Sequence, residues 1–276
     1  MQNFKFQQVD VFSSVALKGN PLAVVVGADG LSDERMASFA NWTNLSETTF
    51  LLKPTRPQAD YRVRIFTPKR ELPFAGHPTL GSCHVWLSEH GAPQGDVIVQ
   101  ECEAGLVRIQ RDGTRLAFAA PPLRRSGPVE PELLHRITSS LGVLPREIVA
   151  SNWVANGPDW VAVMLAGRDE VLRLKPDFAA MAGLEVGVIA PWRDGEAQFE
   201  VRAFAPGDGV TEDAVTGSLN AGMAQWLIGA GLAPPRYVAA QGTVLGRAGR
   251  VHVCQQGSDI WIGGEVVSCV TGLVSL

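Results

Sequence analysis

Residues 61–81 read YRVRIFTPKRELPFAGHPTLG, and this stretch organises the chain because parts of it occur twice. The segment YRVRIFTP at 61–68 has an echo in FEVRAFAP at 199–206. Downstream, GHPTLG at 76–81 corresponds to GSLNAG at 217–222. Repetition over this length indicates two similar α/β domains that arose by duplication, with chance similarity of short segments as the alternative.

The first half of the sequence predicts strands separated by two helices. Runs rich in Val, Phe and Ile predict the strands, which are 3–12, 21–27, 48–53, 60–67, 96–101, 105–111 and 114–119. A helix is predicted over 32–42, with Ser32 as a suitable N-cap, and a second over 78–89.

The domain boundary is predicted in the Pro- and Arg-rich segment APPLRRSGPVEPE, residues 120–132, which has the composition of a linker. The predicted domains are therefore an N-terminal lobe at 1–122 and a C-terminal lobe at 123–276. This prediction leaves open whether the final strands of the chain return to the N-terminal lobe.

The composition indicates a compact protein that does not bind nucleic acid. The chain has 276 residues, of which 46% are hydrophobic and 19% charged, and its net charge is −4. Basic residues form no extended patch, so a phosphate backbone is not expected as a partner. The first ten residues lack the pattern of a secretory signal, and the apolar run at 266–276 is too short to span a bilayer.

Four widely spaced cysteines, without a C-x-x-C pair, indicate reduced thiols. We therefore expect a cytoplasmic protein that has no membrane partner.

The duplication also predicts where a ligand binds. Two corresponding helices begin at Gly76 and Gly217, and a helix start carries unpaired N–H groups and the positive end of the helix dipole. Two such starts that face one cleft would bind a carboxylate without Lys or Arg. His77 and Ser218 occupy equivalent positions directly after these glycines.

Three side chains are candidates for chemistry, and each also has a structural explanation. Glu47 precedes a predicted strand on a face shared with Leu45 and Leu51, where an apolar setting would raise its pKa towards a useful range. It is equally explained as a surface glutamate beyond a helix end. Asp213 either orients a partner or complements a helix dipole, and His77 alone is most often structural.

Several other classes of activity are excluded by missing motifs. No serine lies in a G-x-S-x-G elbow, and neither a Walker A loop nor a complete dinucleotide fingerprint occurs. The histidines show no H-x-x-x-H spacing, so no metal site is predicted. Nothing in the sequence requires a cofactor.

Four blocks together resemble the phenazine-biosynthesis isomerase family, the PhzF-like proteins. The blocks are VDVFSSVALKGNPLAVV, NLSETTF, RIFTPKRELPFAGHPTLG and FAPGDGVTEDAVTGS. The resemblance covers essentially the whole chain. It implies an α+β fold of the diaminopimelate epimerase type, in which two pseudo-symmetric domains each curl a mixed β-sheet around a central α-helix. It also implies an active site between the domains, a homodimer and cofactor-independent chemistry.

Roles known for residues of the family are assigned here only to positions that match the family's motifs. The resemblance implies Glu47 as the catalytic acid/base, assisted by His77 and Asp213. The substrate-binding residues that it implies are Gly76, Gly217, Ser218 and Asn20. The expected ligand is a small carboxylate-bearing metabolite whose identity the sequence does not give.

Two alternative functions stay open at this point. A non-catalytic protein that binds a small ligand or a partner could retain the same cleft. An amino-acid epimerase or racemase would need a second base opposite Glu47, and none is evident. Related racemases use a cysteine at each helix start, whereas the cysteine nearest to the first helix start here is Cys83, which lies beyond it.

Overall fold

The computed structural model of the protein describes residues 1–90, 93, 97–208 and 210–276. The described chain divides into two compact units. Unit 1 consists of Met1–Ala119 and Gly263–Leu276, and unit 2 consists of Ala120–Ile262.

The described residues of unit 1 form two helices, α1 and α2, and nine complete strands. The helices are α1 (Asp33–Thr43) and α2 (Gly76–His90). The strands are β1 (Asn3–Val11), β2 (Asn20–Val26), β3 (Thr48–Leu52), β4 (Tyr61–Phe66), β5 (Glu71–Leu72), β6 (Val97–Cys102), β7 (Gly105–Asp112), β8 (Arg115–Ala119) and, at the end of the chain, β18 (Val266–Ser275). Ser32 caps α1 as predicted, since its side chain accepts a hydrogen bond from the Arg35 N–H. Position 96, the predicted start of the strand that forms β6, lies outside the described residues.

The strands of unit 1 form one mixed sheet. Strand β1 lies antiparallel between β18 and β2, and β2 continues parallel to β3. Strand β3 is antiparallel to β4, which carries β5 at one end and runs parallel to β6. Strands β6, β7 and β8 follow as an antiparallel meander.

Helix α2 lies inside the curl of this sheet. It contacts β1, β2, β3, β4, β6 and β8, and its residues from Gly76 to Cys83 are all buried. Because this first half of α2 is buried on every side, it has no polar face, and its sequence lacks helical amphipathicity. Gly81 permits the close packing, because a Cβ there would lie 2.5 Å from Leu22 Cδ2.

The described part of unit 2 contains three helices and eight complete strands, and after the first strand they follow one another in the same order as their counterparts in unit 1. The helices are α3 (Pro131–Leu141), α4 (Arg168–Arg173) and α5 (Gly217–Gly229). The strands are β9 (Arg125–Gly127), β10 (Ala150–Ala155), β11 (Val161–Met164), β12 (Val186–Pro191), β13 (Phe199–Ala205), β14 (Val210–Asp213), β15 (Arg236–Gln241) and β16 (Gly249–Gln256). Strand β17 (Asp259–Gly264) then leads the chain back into unit 1.

The pairing pattern of unit 2 repeats that of unit 1 strand for strand. Strand β10 lies antiparallel between β9 and β11, β11 is parallel to β12, and β12 is antiparallel to β13. Strand β13 carries β14 and runs parallel to β15, which pairs antiparallel with β16. The predicted α+β class with two similar mixed sheets is therefore confirmed.

The duplication extends to side chains. Arg64 makes a two-pronged ion pair with Glu71, with N···O distances of 2.7 and 2.6 Å. Arg202 does the same with Glu212, at 2.8 Å for both contacts. Each arginine also lies over a phenylalanine ring two residues later in its strand. These arginines, whose repetition is visible in the sequence, therefore bind the corresponding short strand in each unit, β5 in unit 1 and β14 in unit 2.

Part of the segment that was predicted as a linker forms regular secondary structure. Residues 120–132 include the short strand β9 and the first residues of α3. Their proline content agrees with these roles, because Pro131 occupies the first turn of α3, where a missing N–H costs nothing.

Candidate active site

Glu47 lies in the connection between α1 and β3. Helix α1 ends at Thr43, and its C-cap residue Asn44 adopts the left-handed conformation at φ 54°, which asparagine tolerates well. The chain turns after Asn44, and Glu47 directly precedes Thr48, the first residue of β3. The Glu47 side chain is only 16% exposed.

His77 lies in the first turn of α2 and is buried. Its Nε2 is 3.4 Å from Oε2 of Glu47, and its Nδ1 is 3.4 Å from Nδ2 of Asn20. Burial away from water lowers the pKa of His77 to about 3, although a hydrogen bond to the Pro21 backbone opposes the shift. The ring is therefore neutral at any pH near 7.

The segment that contacts His77 is itself held rigidly. The Gly19 N–H donates to Oδ2 of the buried Asp10 at 2.8 Å. A Cβ on Gly19 would lie 2.2 Å from the Val11 carbonyl oxygen, so only glycine fits there. This packing places Asn20, the first residue of β2, against the imidazole.

The arrangement in unit 1 can hold and move one proton. A carboxyl oxygen with less than 1 Å² of exposed surface lies beside a neutral imidazole. A carboxyl group can both donate and accept a proton, whereas burial has removed most of the affinity of the His77 ring for one. Asn20 and Pro21 restrict the ring's orientation, which keeps Nε2 directed towards the carboxyl.

Asp213 is positioned by a hydrogen-bond network in unit 2. It ends β14, and its Oδ2 accepts a hydrogen bond of 2.7 Å from the Thr216 hydroxyl. Thr216 is the N-cap residue of α5 and directly precedes Gly217. The predicted residues Asp213, Gly217 and Ser218 thus lie together at the start of this helix.

Gln241 is the centre of that network. Its Oε1 accepts from the Thr216 N–H and from Nδ2 of Asn220, while its Nε2 donates to the Thr216 hydroxyl and to the Asp213 carbonyl. All four hydrogen-bonding positions of the amide are therefore used. Because the Thr216 oxygen accepts from Gln241, its own proton is directed to the Asp213 carboxylate.

The sequence analysis missed Gln241, although the repeat contains its signal. Gln241 ends VAAQ at 238–241 and corresponds to Gln100, which ends VIVQ at 97–100. Gln100 is also fully buried, and its Nε2 donates to the Thr79 hydroxyl in α2. Each unit therefore ties its central helix to the following strand by a buried glutamine.

Ser218 is oriented by two residues that the sequence analysis also missed. The Trp160 indole N–H donates to the Ser218 hydroxyl oxygen at 3.1 Å, and Nδ2 of Asn156 donates to the Ser218 carbonyl at 2.8 Å. Because the hydroxyl oxygen accepts from the indole, its own proton can be donated to a ligand. Nothing in the local sequence marks Trp160 or Asn156, which lie about sixty residues earlier in the chain.

No group of three or more metal-binding side chains occurs among the described residues. No helix in the described part of the chain is long and apolar enough to cross a membrane.

Comparison with known proteins identifies the family. Residues 9–272 match the PhzC-PhzF family model, described as phenazine biosynthesis-like protein. The chain is 36% identical to antisense-enhancing sequence 1 of Schizosaccharomyces pombe, with 99% of both chains covered. It is 33% identical to the trans-2,3-dihydro-3-hydroxyanthranilate isomerase of Pseudomonas aeruginosa, over 96% of this chain and 94% of that protein.

Comparison with solved structures shows that a protein of the same family has the same fold. The crystal structure of a PhzF-family phenazine biosynthesis protein from Enterococcus faecalis matches with a TM-score of 0.83 and 26% identity. The match covers 100% of both chains. The chain therefore belongs to the phenazine biosynthesis-like family and is an isomerase of that family.

Proposed function

We propose that the protein is a cofactor-independent isomerase that moves a proton within a small carboxylate-bearing metabolite, with Glu47 as the acid/base group. One observation carries the proposal: the buried Glu47 Oε2 lies 3.4 Å from Nε2 of His77, a histidine that stays neutral. A surface glutamate, which was the alternative from sequence, would be solvated and would not face an imidazole.

The contacts of the ring limit how this pair shares a proton. The neutral ring has one N–H and one nitrogen lone pair, and Asn20 Nδ2, which can only donate, lies 3.4 Å from Nδ1. Nε2 has no hydrogen-bond partner and faces Glu47 Oε2 across 3.4 Å, so a small movement of either group brings the two atoms to hydrogen-bond distance.

The proposed reaction is a shift of one double bond. Protonated Glu47 donates its proton to one carbon of a conjugated system, and the resulting carboxylate removes a proton from another carbon of the same molecule. One C–H bond forms and one breaks, so the metabolite is isomerised without an oxidant or a reductant. The same carboxyl returns to its acid form.

The substrate class is proposed from the second unit and from the named relative. Ser218 and the backbone N–H groups at the start of α5 suit an anionic group. Asp213, held by the Thr216 hydroxyl, suits a hydroxyl or amino group of the substrate. The relative's name specifies a hydroxylated, partly reduced anthranilate, so we propose an unsaturated carboxylate with a polar substituent.

Incubation with candidate metabolites in D₂O tests this function. The trans-2,3-dihydro-3-hydroxyanthranilate of the relative and a mixture of cellular carboxylates are offered to the protein, and carbon-bound deuterium is measured by mass spectrometry. We expect one deuterium in an isomerised product, and none with heat-denatured protein. Thermal stabilisation by a metabolite that never gains deuterium would instead identify a binding protein.

A further inference from the structure

Three elements of unit 1 carry the residues that surround the imidazole of the candidate active site. His77 lies in α2, Glu47 directly precedes β3, and Asn20 begins β2. The 3.4 Å contact between His77 Nε2 and Glu47 Oε2 is not a hydrogen bond, and the contact between Nδ1 and Asn20 is equally long. Contacts of this length set the distance between α2 and β3 only loosely.

A chain of buried hydroxyl groups joins the same three elements. Ser82 Oγ in α2 donates to Thr49 Oγ1 in β3 at 2.9 Å, and Thr49 Oγ1 donates to the Ala23 carbonyl in β2 at 3.5 Å. Ser82 and Thr49 are both fully buried. Because a carbonyl can only accept, the Thr49 proton is directed to Ala23 and the Thr49 oxygen accepts from Ser82.

The Ser82–Thr49 hydrogen bond lies close to the contact between His77 and Glu47. Positions 77 and 82 are separated by about 7.5 Å along a helix, and Thr49 is the second residue after Glu47. A slide or a rotation of α2 against β3 would therefore change both contacts together. A hydrogen bond depends steeply on distance and angle, so this one opposes such a movement.

The counterpart of Thr49 in unit 2 is a glycine. Thr49 is opposite Ile65 in the ladder between β3 and β4. Gly187 is opposite Ala203 in the ladder between β12 and β13. Ile65 and Ala203 are the fifth residues of the two repeated segments YRVRIFTP and FEVRAFAP, so Gly187 corresponds to Thr49.

The counterpart of Ser82 is Met223, since the two residues directly follow the repeated segments GHPTLG and GSLNAG. A Cβ on Gly187 would lie 2.6 Å from Met223 Cε, so the helix and the strand of unit 2 meet there by apolar packing. The fold therefore does not require a polar pair at this position. The polar pair occurs in the unit that holds Glu47 and His77, and satisfied buried hydrogen bonds favour one arrangement of the groups around them.

We propose that Ser82 and Thr49 are positioning residues, whose hydrogen bond sets the distance between His77 Nε2 and Glu47 Oε2. Both hydroxyls are fully buried, so they act through α2 and β3 and not on a ligand. The catalytic consequence rests on the proposed function. A displacement of about 1 Å in a catalytic site can lower the rate on the order of 100-fold.

Four variants and one control separate positioning from stability. Thr49→Val and Ser82→Ala each leave one hydroxyl without its partner, and the double variant removes both. Thr49→Ser retains the hydroxyl. Thr138→Val in α3 is the control, because it removes a buried hydroxyl that donates to the His135 carbonyl of its own helix. The double variant should have a higher melting temperature than either single variant, since it leaves no orphaned hydroxyl.

The ¹⁵N NMR signals of the His77 ring, assigned with a His77→Gln variant, report on its position without any substrate. We expect these signals to shift in both single variants and in the double variant. They should coincide with the wild-type signals in Thr49→Ser and Thr138→Val. Wild-type His77 signals in Thr49→Val, Ser82→Ala and the double variant would overturn the proposal, whatever the protein catalyses.

Steady-state kinetics with trans-2,3-dihydro-3-hydroxyanthranilate measures the effect on turnover. The kcat should fall on the order of 10- to 100-fold in Thr49→Val, Ser82→Ala and the double variant, with KM changed less than about 2-fold. Thr49→Ser and Thr138→Val should keep the wild-type kcat. A double variant that regains kcat together with its melting temperature would reduce the pair to a stabilising role and overturn the proposal. If the wild type does not convert this compound, the proposed function fails for it, and the His77 signals still decide the positioning.

Discussion

Replacing His77 by glutamine should change how the stability of the protein depends on pH. Burial lowers the pKa of His77 to about 3, from about 6.5 in an unfolded chain. The folded protein therefore binds fewer protons at this site than the unfolded chain does between these two values. Stability consequently falls as the pH drops below about 6.5, and the loss from this site ends near pH 3.

The magnitude follows from the same two values. The slope within the window is about 1.4 kcal/mol per pH unit, and between pH 7 and pH 5 the loss amounts to about 2 kcal/mol. A His77→Gln variant lacks this contribution, and titrating groups that do not contact His77 act equally in both proteins. The difference in unfolding free energy between wild type and variant should therefore shrink by about 2 kcal/mol from pH 7 to pH 5.

Urea denaturation at pH 5, 6 and 7 measures this difference, with His135→Gln as a control for the loss of an exposed imidazole in α3. If the unfolding free energies of wild type and His77→Gln change equally with pH, His77 is not a neutral, desolvated ring. If the wild type instead becomes more stable relative to the variant at low pH, His77 is charged and paired with ionised Glu47, and the neutral ring inferred for the site is wrong.

Three further substitutions, with Gly229→Ala as a control, test the hydrogen-bond network in unit 2, the packing of α5 and the role of Ser218. Gln241→Leu should lower the unfolding free energy by about 2–4 kcal/mol, measured by urea denaturation, because it leaves buried polar groups unsatisfied. It should also lower kcat, measured by steady-state kinetics, because Asp213 is no longer held in place. Gly222→Ala should cost about 1–3 kcal/mol, since its Cβ would lie 2.3 Å from a strand carbonyl. Gly229→Ala in the same helix meets open space and should be neutral or up to about 1 kcal/mol stabilising, so an equal loss in both variants would contradict the packing argument. Ser218→Ala should raise KM for the carboxylate with little effect on kcat, and an unchanged KM would remove Ser218 from the binding site.

The fold could be predicted from the sequence largely because the chain repeats itself. The echo of Arg64 in Arg202 marks corresponding strands, and the structure gives both arginines the same ion pair. Strand ends in the first half were predicted to within a residue or two, since turns there coincide with Gly, Pro and polar residues. The strand β9 was not predicted, because three residues amid Pro and Arg carry no periodicity.

The candidate site could be predicted only in part. The family resemblance implied Glu47 and His77 as members of one site, and the contact between them depends on how α1, β3 and α2 pack, which no local pattern specifies. The groups that orient the predicted residues were missed for the same reason. Trp160 is unmarked in the sequence until tertiary structure places it beside Ser218, and Gln241 is marked only by its counterpart Gln100 in the repeat.

The central claim, that Glu47 carries the transferred proton, is tested most directly by the rate of deuterium incorporation from D₂O in a Glu47→Gln variant. Glutamine keeps the shape of the side chain but cannot donate and regain a proton, and Glu132→Gln on the exposed face of α3 is the matched control. Glu47→Gln should still be stabilised thermally by the metabolite, while its incorporation falls to the rate without protein and Glu132→Gln matches the wild type. Incorporation by Glu47→Gln at a rate close to that of the wild type would contradict the account.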